Sequence, residues 1–362
     1  MADQFAIEPP IEPMLAKLAD TLPEGGDFLY EPKWDGFRAI VFRGTADVYI
    51  QSRELRPLDR YFPELHDALL ANMPPGAVVD GEIVIPTPEG LDFDALQMRL
   101  HPAASRVAKL AKATPSAFVA FDLLAIDGRD VRTSAQAERR ALLERALTDA
   151  KPPVYVTPMT RDVAVATNWL ARFEGAGLDG VIAKPQRGTY QPGVRAMIKV
   201  KHARTADCVV AGFRWHVKGP GTLVGSLLLG LFDDRGRLQH VGVTSSFNMA
   251  MRAQLVRELE PLRDRALDGH PWREWADAEA HGSGRLPGAQ SRWSAGKDLS
   301  WVPVRAERVC EVKYDHMQGD RFRHAAVFQR WRPDKSPDQC RYDQLEVTPA
   351  FELEKVFGAG SG

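Results

Sequence analysis

"YEPKWDGFRAI", Tyr30 to Ile40, sets a lysine two residues after a glutamate and two before an aspartate, where two extended patterns meet. "FLYEPK" and "FRAIVF" are short and rich in aromatic or β-branched residues, and Asp35-Gly36 between them is a turn signal. Lys33 is therefore expected at a strand end. On an extended segment Glu31, Lys33 and Asp35 project to one face. The local residues leave two readings open, a salt-bridged cluster and a nucleophile. A lysine amine titrates near 10.4, so the second reading requires nearby cations, a metal ion or desolvation to favour the neutral form.

Outward from this stretch, extended patterns continue through "DVYIQSR", and "YFPELHDALLANM" then has apolar residues at helical spacing. "AVVDGEIVIP" and "SAFVAFDLLAID" read as buried strands. "SAQAERRALLERAL" reads as a helix with Ser134 as its N-cap and its charges on a solvated outer face. A strand "PVYVTP", a helix "VAVATNWLARFEGAG" closed by Gly175 and Gly177, and the apolar run "GVIAKP" follow. From "DCVVAGFRW" onward strands dominate, with a hairpin "SLLLGLFDDRGRLQHVGV", a helix "MAMRAQLVRELEPLRDRAL", and strands "RVCEVKYDHM" and "AAVFQRW". Five or six strands with one helix suit a small barrel of the OB type.

At 362 residues the chain exceeds what one hydrophobic core usually holds. Two domains are expected, 1–203 and 204–350, with a tail over 351–362 whose last five residues fray. With 44% hydrophobic and 26% charged residues, and no apolar run of membrane-spanning length, the composition is that of a soluble globular protein. The N-terminus lacks the basic and apolar regions of a secretory signal, so a cytoplasmic place is expected. Cys208, Cys310 and Cys340 are far apart, which suggests neither a disulfide framework nor a zinc cluster. The net charge is −1 and neither half is basic overall, which counts against a non-specific nucleic-acid coat but leaves room for a local basic track. "VKGPGTLVGS" is glycine-rich but lacks the ordered pattern of a phosphate-binding P-loop, and reads as a turn between barrel strands.

"KWDGFR", Lys33 to Arg38, has the form K-x-D-G-x-R, and six further elements follow in order. They are "SRE" at Ser52, "VDGEIV" at Val79, "VAFDLLAIDG" at Val119, "LDGVIAKP" at Leu178, "RAMIKVKH" at Arg195 and "RWRPDK" at Arg330. Together they resemble the motif series of the covalent nucleotidyltransferases, which comprise DNA ligases, RNA ligases and mRNA capping enzymes. The chain resembles ATP-dependent DNA ligases throughout, most closely the stand-alone bacterial type often called ligase C and the ligase module of ligase D. The resemblance implies an α+β chain: a nucleotidyltransferase domain of the ATP-grasp-like adenylation type with antiparallel sheets, then an OB-fold β-barrel.

The resemblance also implies roles. Lys33 would attack the α-phosphorus of ATP to give lysyl-AMP. Glu31 would accept from the adenine amine, Phe121 would stack on the purine, and Arg38 and Glu82 would hold the ribose and nucleotide edge. Arg53 would read a phosphate, first of the nucleotide and then of the DNA 5′ end, and Lys184 and Arg195 would add nucleotide contacts. Lys199 and Lys201, two apart on a strand, point to one side, would neutralise the α-phosphate and would favour the neutral amine of Lys33. Asp179, with Glu82 as a second carboxylate, would bind magnesium or, alternatively, manganese. Asp179 stands where the family usually has glutamate, and Met197 where relatives commonly have tryptophan. Arg332, Asp334 and Lys335 would close over the β- and γ-phosphates and then swing away with a mobile domain.

An RNA ligase or a capping-type guanylyltransferase shares the first step and remains an alternative, as does, in another class, a non-catalytic OB-type nucleic-acid-binding protein. Nicked duplex DNA is the expected partner and a monomer the expected state. A nucleoid-associated place follows when the protein acts on DNA, and recruitment by a Ku-like or other repair protein is left open. DNA contact is expected from the loop "GRLPGAQSRWSAGKDLSW", with Arg285, Arg292 and Lys297 neutralising phosphates. The position of Lys33 near the start predicts that no large DNA-binding domain precedes it.

Overall fold

The structure is a computed structural model that describes residues 6–25, 27–201, 204–276, 300–315, 317–345 and 351–358. The chain divides into two compact units, 1–202 together with 348–362, and 203–347.

The first unit begins with strands β1 (Leu15–Ala19), β2 (Phe28–Pro32), β3 (Phe37–Arg43) and β4 (Val48–Ser52). Helix α1 (Pro63–Asn72), strand β5 (Val78–Val84), the small hairpin β6 (Pro86–Thr87) and β7 (Gly90–Leu91), and helices α2 (Phe93–Met98) and α3 (Ala104–Ala113) come next. Then follow β8 (Ala117–Ile126), β9 (Arg129–Asp130), α4 (Gln136–Ala146), β10 (Val154–Val156), α5 (Val163–Arg172), β11 (Val181–Pro185) and β12 (Arg195–Val200). One sheet has the order β1-β12-β11-β2, the other β10-β8-β5-β3-β4 with β9 paired to β8. Pairing is antiparallel except for β1 with β12 and β10 with β8. The strands of "FRAIVF" and "AFVAFDLLAI" are buried over most of their length, which is why they read as continuous apolar runs rather than as alternating ones.

Helix starts follow local chemistry. Asp92 accepts from the Ala95 amide at the start of α2, and Asp162 from the Ala164 amide at the start of α5. Helix α5 runs into a 3-10 turn, Phe173–Ala176, and ends at Gly177, whose φ of +82° suits glycine. Helix α4 corrects the sequence reading twice. It starts at Gln136 after Ala135, so Ser134 does not cap it. Its charged face is not all solvated either, because Gln136, Arg139, Arg140 and Leu143 form a buried stripe.

The second unit holds β13 (Arg204–His216), β14 (Gly219–Phe232), β15 (Leu238–Thr244), α6 (Met249–Leu259), α7 (Arg273–Ala276), β16 (Val302–Tyr314), β17 (Met317–Gln318), β18 (Arg321–Phe322) and β19 (Val327–Trp331). Its five-stranded antiparallel sheet has the order β15-β14-β13-β16-β19. The Ala326 amide donates to the Val243 carbonyl at 2.9 Å, joining the two edges and closing the barrel. The three cysteines are free and buried in its core. Part of the expected tail joins the first unit: α8 (Leu353–Phe357) buries Leu353 and Val356 among Trp34, Trp169, Phe173 and Val181. No helix among the described residues is long and apolar enough to cross a membrane.

Candidate active site

The β-sheet register of the first unit builds a cleft from two walls. Across β2, β11 and β12 the residues Glu31, Ile182 and Lys199 stand opposite one another. Alternation then carries Lys184, Met197, Arg195 and Lys201 to the same face. On the facing sheet Arg38 of β3 lies opposite Glu82 of β5, which lies opposite Val119 of β8, two residues before Phe121. Glu31, Lys33, Arg38, Arg53, Glu82, Phe121, Lys184, Arg195 and Lys199, all expected at one site, line this one cleft.

Lys33 follows β2 and is fixed by its backbone. Its amide donates to the Gly180 carbonyl at 2.8 Å, and its carbonyl accepts from the Asp179 amide at 2.9 Å. Two glycines let the flanking segments pack closely against neighbouring strands. A Cβ on Gly36 would collide with the Ile83 carbonyl, and one on Gly180, at φ +133°, with the Val200 carbonyl. The Lys33 Nζ donates to Asp179 Oδ2 at 2.5 Å, and Lys201 Nζ pairs with the same oxygen at 2.9 Å. Burial works to raise Asp179, but the charges and hydrogen bonds of Lys33 and Lys201 prevail and hold it below the usual carboxylate range. Desolvation, with the charges of Lys33 and Lys201, lowers Lys199. Lys33 is thus salt-bridged in this structure, with Asp179 as its carboxylate.

Glu31 and Lys184 are each 2% exposed and pair at 2.7 Å through Glu31 Oε2. Lys184 also donates to the Phe121 carbonyl at 2.7 Å. Its Nζ lies 4.8 Å from the Phe121 ring centre, and the Arg38 guanidinium carbon 5.1 Å from it, so this aromatic ring carries two cations. Arg38 makes a two-pronged contact with Asp80 at 2.9 and 2.6 Å. Glu82, half-buried on the cleft wall, is pushed up to about 7 by desolvation against the pull of Lys33 and Arg38. Arg53 stands in the turn after β4, where it borders both the cleft and an adjoining groove with Glu12, Leu55 and Arg56.

Three supports were not foreseen. Arg140 donates to Glu31 Oε1 at 3.2 Å and to the Thr157 carbonyl at 2.6 Å. Asp80 also accepts from the Tyr190 hydroxyl at 2.7 Å, and that hydroxyl accepts from the Met14 amide at 3.0 Å. Arg139 holds Asp122 with two bonds of 2.8 and 3.0 Å. The signal for the arginines lay in α4, where positions 136, 139, 140 and 143 have the spacing of an inward face.

Arg332, Asp334 and Lys335 belong to the second unit. Arg332 binds Asp334 at 2.9 and 2.8 Å and Asp207 at 2.9 Å, and Lys335 binds Asp207 at 2.6 Å. Arg285, Arg292 and Lys297 lie outside the described residues. Among the described residues no group of three or more metal-ligating side chains converges.

The family model of the ATP dependent DNA ligase domain matches residues 13–201, and that of the ATP dependent DNA ligase C terminal region matches 220–335. The chain is 56% identical over 342 residues to DNA ligase C2 of Mycolicibacterium smegmatis, covering 94% of this chain and 96% of that protein. It is 54% identical over 360 residues to DNA ligase C of Mycobacterium tuberculosis, covering 98% of each. A solved Lig E DNA ligase shares the fold with a TM-score of 0.53 at 18% identity, over 89% of this chain and 99% of that one.

Proposed function

Because the chain belongs to the ATP-dependent DNA ligases, we propose that Lys33 is the residue that carries AMP and that the cleft around it binds the nucleotide. The observation that supports this most directly is the convergence on one cleft of Lys33, the cations Arg38, Lys184 and Lys199, and the aromatic Phe121.

Glu31, held by Lys184 and Arg140, keeps a fixed carboxylate acceptor for the adenine amine, and Phe121 offers a face to the ring. Arg38 and Glu82 take the ribose edge, while Lys184 and Arg195 contribute further nucleotide contacts. Lys199 and Lys201 supply positive charge where the α-phosphate accumulates negative charge. Lys33 must leave Asp179 and lose a proton before it attacks. Its Nζ then bonds to the α-phosphorus as the bond to the pyrophosphate oxygen breaks, giving lysyl-AMP and free pyrophosphate. Arg332, Asp334 and Lys335 orient that leaving group. An oxygen of the DNA 5′-phosphate, read by Arg53, next displaces Lys33 from the AMP phosphorus. Finally the 3′-hydroxyl oxygen attacks the 5′-phosphate, loses its proton, and AMP departs. Nicked duplex of the kind left during DNA repair is the substrate.

The donor set fits magnesium, or manganese, better than an ion that needs an all-protein cage. Asp179 is the carboxylate that would hold it, with Glu82 as a second, and phosphate oxygens and water would complete the shell. Such an ion supplies charge to the α-phosphate. The test incubates wild type and Lys33→Ala with α-labelled ATP or GTP, and with nicked duplexes of all-DNA or RNA-containing strands. Label from ATP and sealing of all-DNA nicks, both lost in Lys33→Ala, are expected. Label from GTP alone would overturn the reading.

A further inference from the structure

The residues that follow the second unit in chain order return to the first as α8 and end beneath the nucleophile's neighbour. The Phe357 ring lies 5.1 Å from that of Trp34 at an interplanar angle of 20°, and 4.1 Å from that of Tyr155 at 18°. It is the middle ring of a three-ring stack. Trp34 is next to Lys33, is 4% exposed, and donates from its indole nitrogen to Thr157 Oγ1 at 2.8 Å. Thr157 lies two residues after Tyr155, and its carbonyl accepts from Arg140, the guanidinium behind Glu31. Phe357 therefore touches both segments that fix the cleft, the strand end bearing Lys33 and the end of β10 that anchors the Glu31 support.

Phe357 is itself held. Leu353 and Val356, one turn or less before it, are buried in the same core as Trp34. Phe351 donates its amide to the Gly175 carbonyl at 3.2 Å and rests its ring against Phe173 and the Arg172 guanidinium. Such packing places the ring in one position, and the stack passes that position to Trp34.

We propose that Phe357 is a positioning residue for Lys33: its ring fixes Trp34, and through the shared backbone fixes the direction from which the Lys33 amine meets the α-phosphorus. The inference rests on the reading of Lys33 as the AMP-bearing residue. It has a step-specific consequence. Lys33 is the attacking atom's residue in the first step and the leaving group in the second, but takes no part when a 3′-hydroxyl attacks a nick already bearing AMP.

The test uses the full chain with Phe357→Leu, which keeps apolar volume without a ring, Phe357→Ala, and Phe357→Trp, which restores a stacking ring. Single-turnover labelling of Lys33 with ATP is measured beside sealing of a pre-adenylylated nicked duplex. A displacement of about 1 Å in a reacting group can cost on the order of a hundredfold, so labelling is expected to slow about tenfold or more in Phe357→Leu. Sealing of the pre-adenylylated nick should stay within about twofold of wild type, and Phe357→Trp should recover most of the labelling rate. Labelling of Phe357→Leu at the wild-type rate, or an equal loss in both steps, overturns the inference. Failure of wild type to label at Lys33 would instead overturn the proposed function.

Discussion

The two carboxyl groups proposed to hold metal differ in their proton affinity, and the difference has a cause on each wall of the cleft. Asp179 faces two ammonium groups, Lys33 and Lys201, and is held below the usual range. Glu82 faces desolvation first and is pushed up to about 7. For a carboxyl raised from 4.5 in the unfolded chain, the fold binds the extra proton between the two values, so stability falls as pH rises through about 7. Glu82→Gln removes the need to ionise there. It should raise stability by roughly 3 kcal/mol at pH 8, from the displacement from 4.5 to about 7 at about 1.36 kcal/mol per pH unit, and by almost nothing near pH 4.5. Thermal melts across that range check this; a gain independent of pH would mean that Glu82 does not titrate as stated. Much of this cleft was legible because K-x-D-G-x-R and its companions name the polar residues directly. Asp80, Tyr190 and Arg140 were not, because each works through a partner far away in sequence, and a buried arginine has the same letter as a solvated one.

Elements were legible where their periodicity was undisturbed. The strands of both sheets, α1, α5 and α6 follow from apolar spacing and turn residues, while β1 did not, since its five residues gain their place only by pairing with β12. Helix α3 was also missed, and it bears a feature that belongs to this scale. Its sequence ASRVAKLAKA contains no acid, and Arg106, Lys109 and Lys112 recur every third residue, all exposed, opposite the buried Val107 and Ala111. The three span about 9 Å at 1.5 Å per residue, a length that matches a short run of phosphates. The helix adjoins the 3-10 turn at Asp59–Tyr61, where Arg60 donates to the Pro102 carbonyl at 2.8 Å, and that turn follows the segment bearing Arg53 and Arg56. Arg53, Arg56 and Arg60, with Glu54 and Asp59 among them, thus lead from the cleft edge to the acid-free α3 within a chain of net charge −1. Replacing the three α3 cations by alanine should reduce the salt slope of nicked-DNA binding by about 2 to 3, and leave Lys33 labelling intact. An unchanged slope would make this face merely solvated.

At the scale of the whole molecule, chain order and compact units do not coincide, because α8 joins the unit that the chain left near residue 202. A tail was expected over 351–362, with its last five residues, all Gly, Ala or Ser, fraying, but the apolar residues just before them, Phe351, Leu353, Val356 and Phe357, pack into the core of the first unit. A first unit cut after residue 202 therefore lacks part of its own interior. Burying Leu353 and Val356 is worth roughly 1.5–3 kcal/mol each, and the ring stack adds about 0.5–1.5 kcal/mol. A chain ending at residue 202 should then melt below one in which a flexible Gly/Ser linker joins residue 202 to residue 348 in place of the second unit. The expected gap is several degrees or more, because about 1 kcal/mol shifts the midpoint of a unit of this size by 2–4 °C. The same pair separates stability from positioning: adding Phe357→Leu to the linked form should retain most of the gain from Leu353 and Val356 while losing the contribution of the rings. Equal melting of the cut and linked forms would show that α8 contributes nothing to the first unit, and would remove the physical basis for any influence of Phe357 on Trp34.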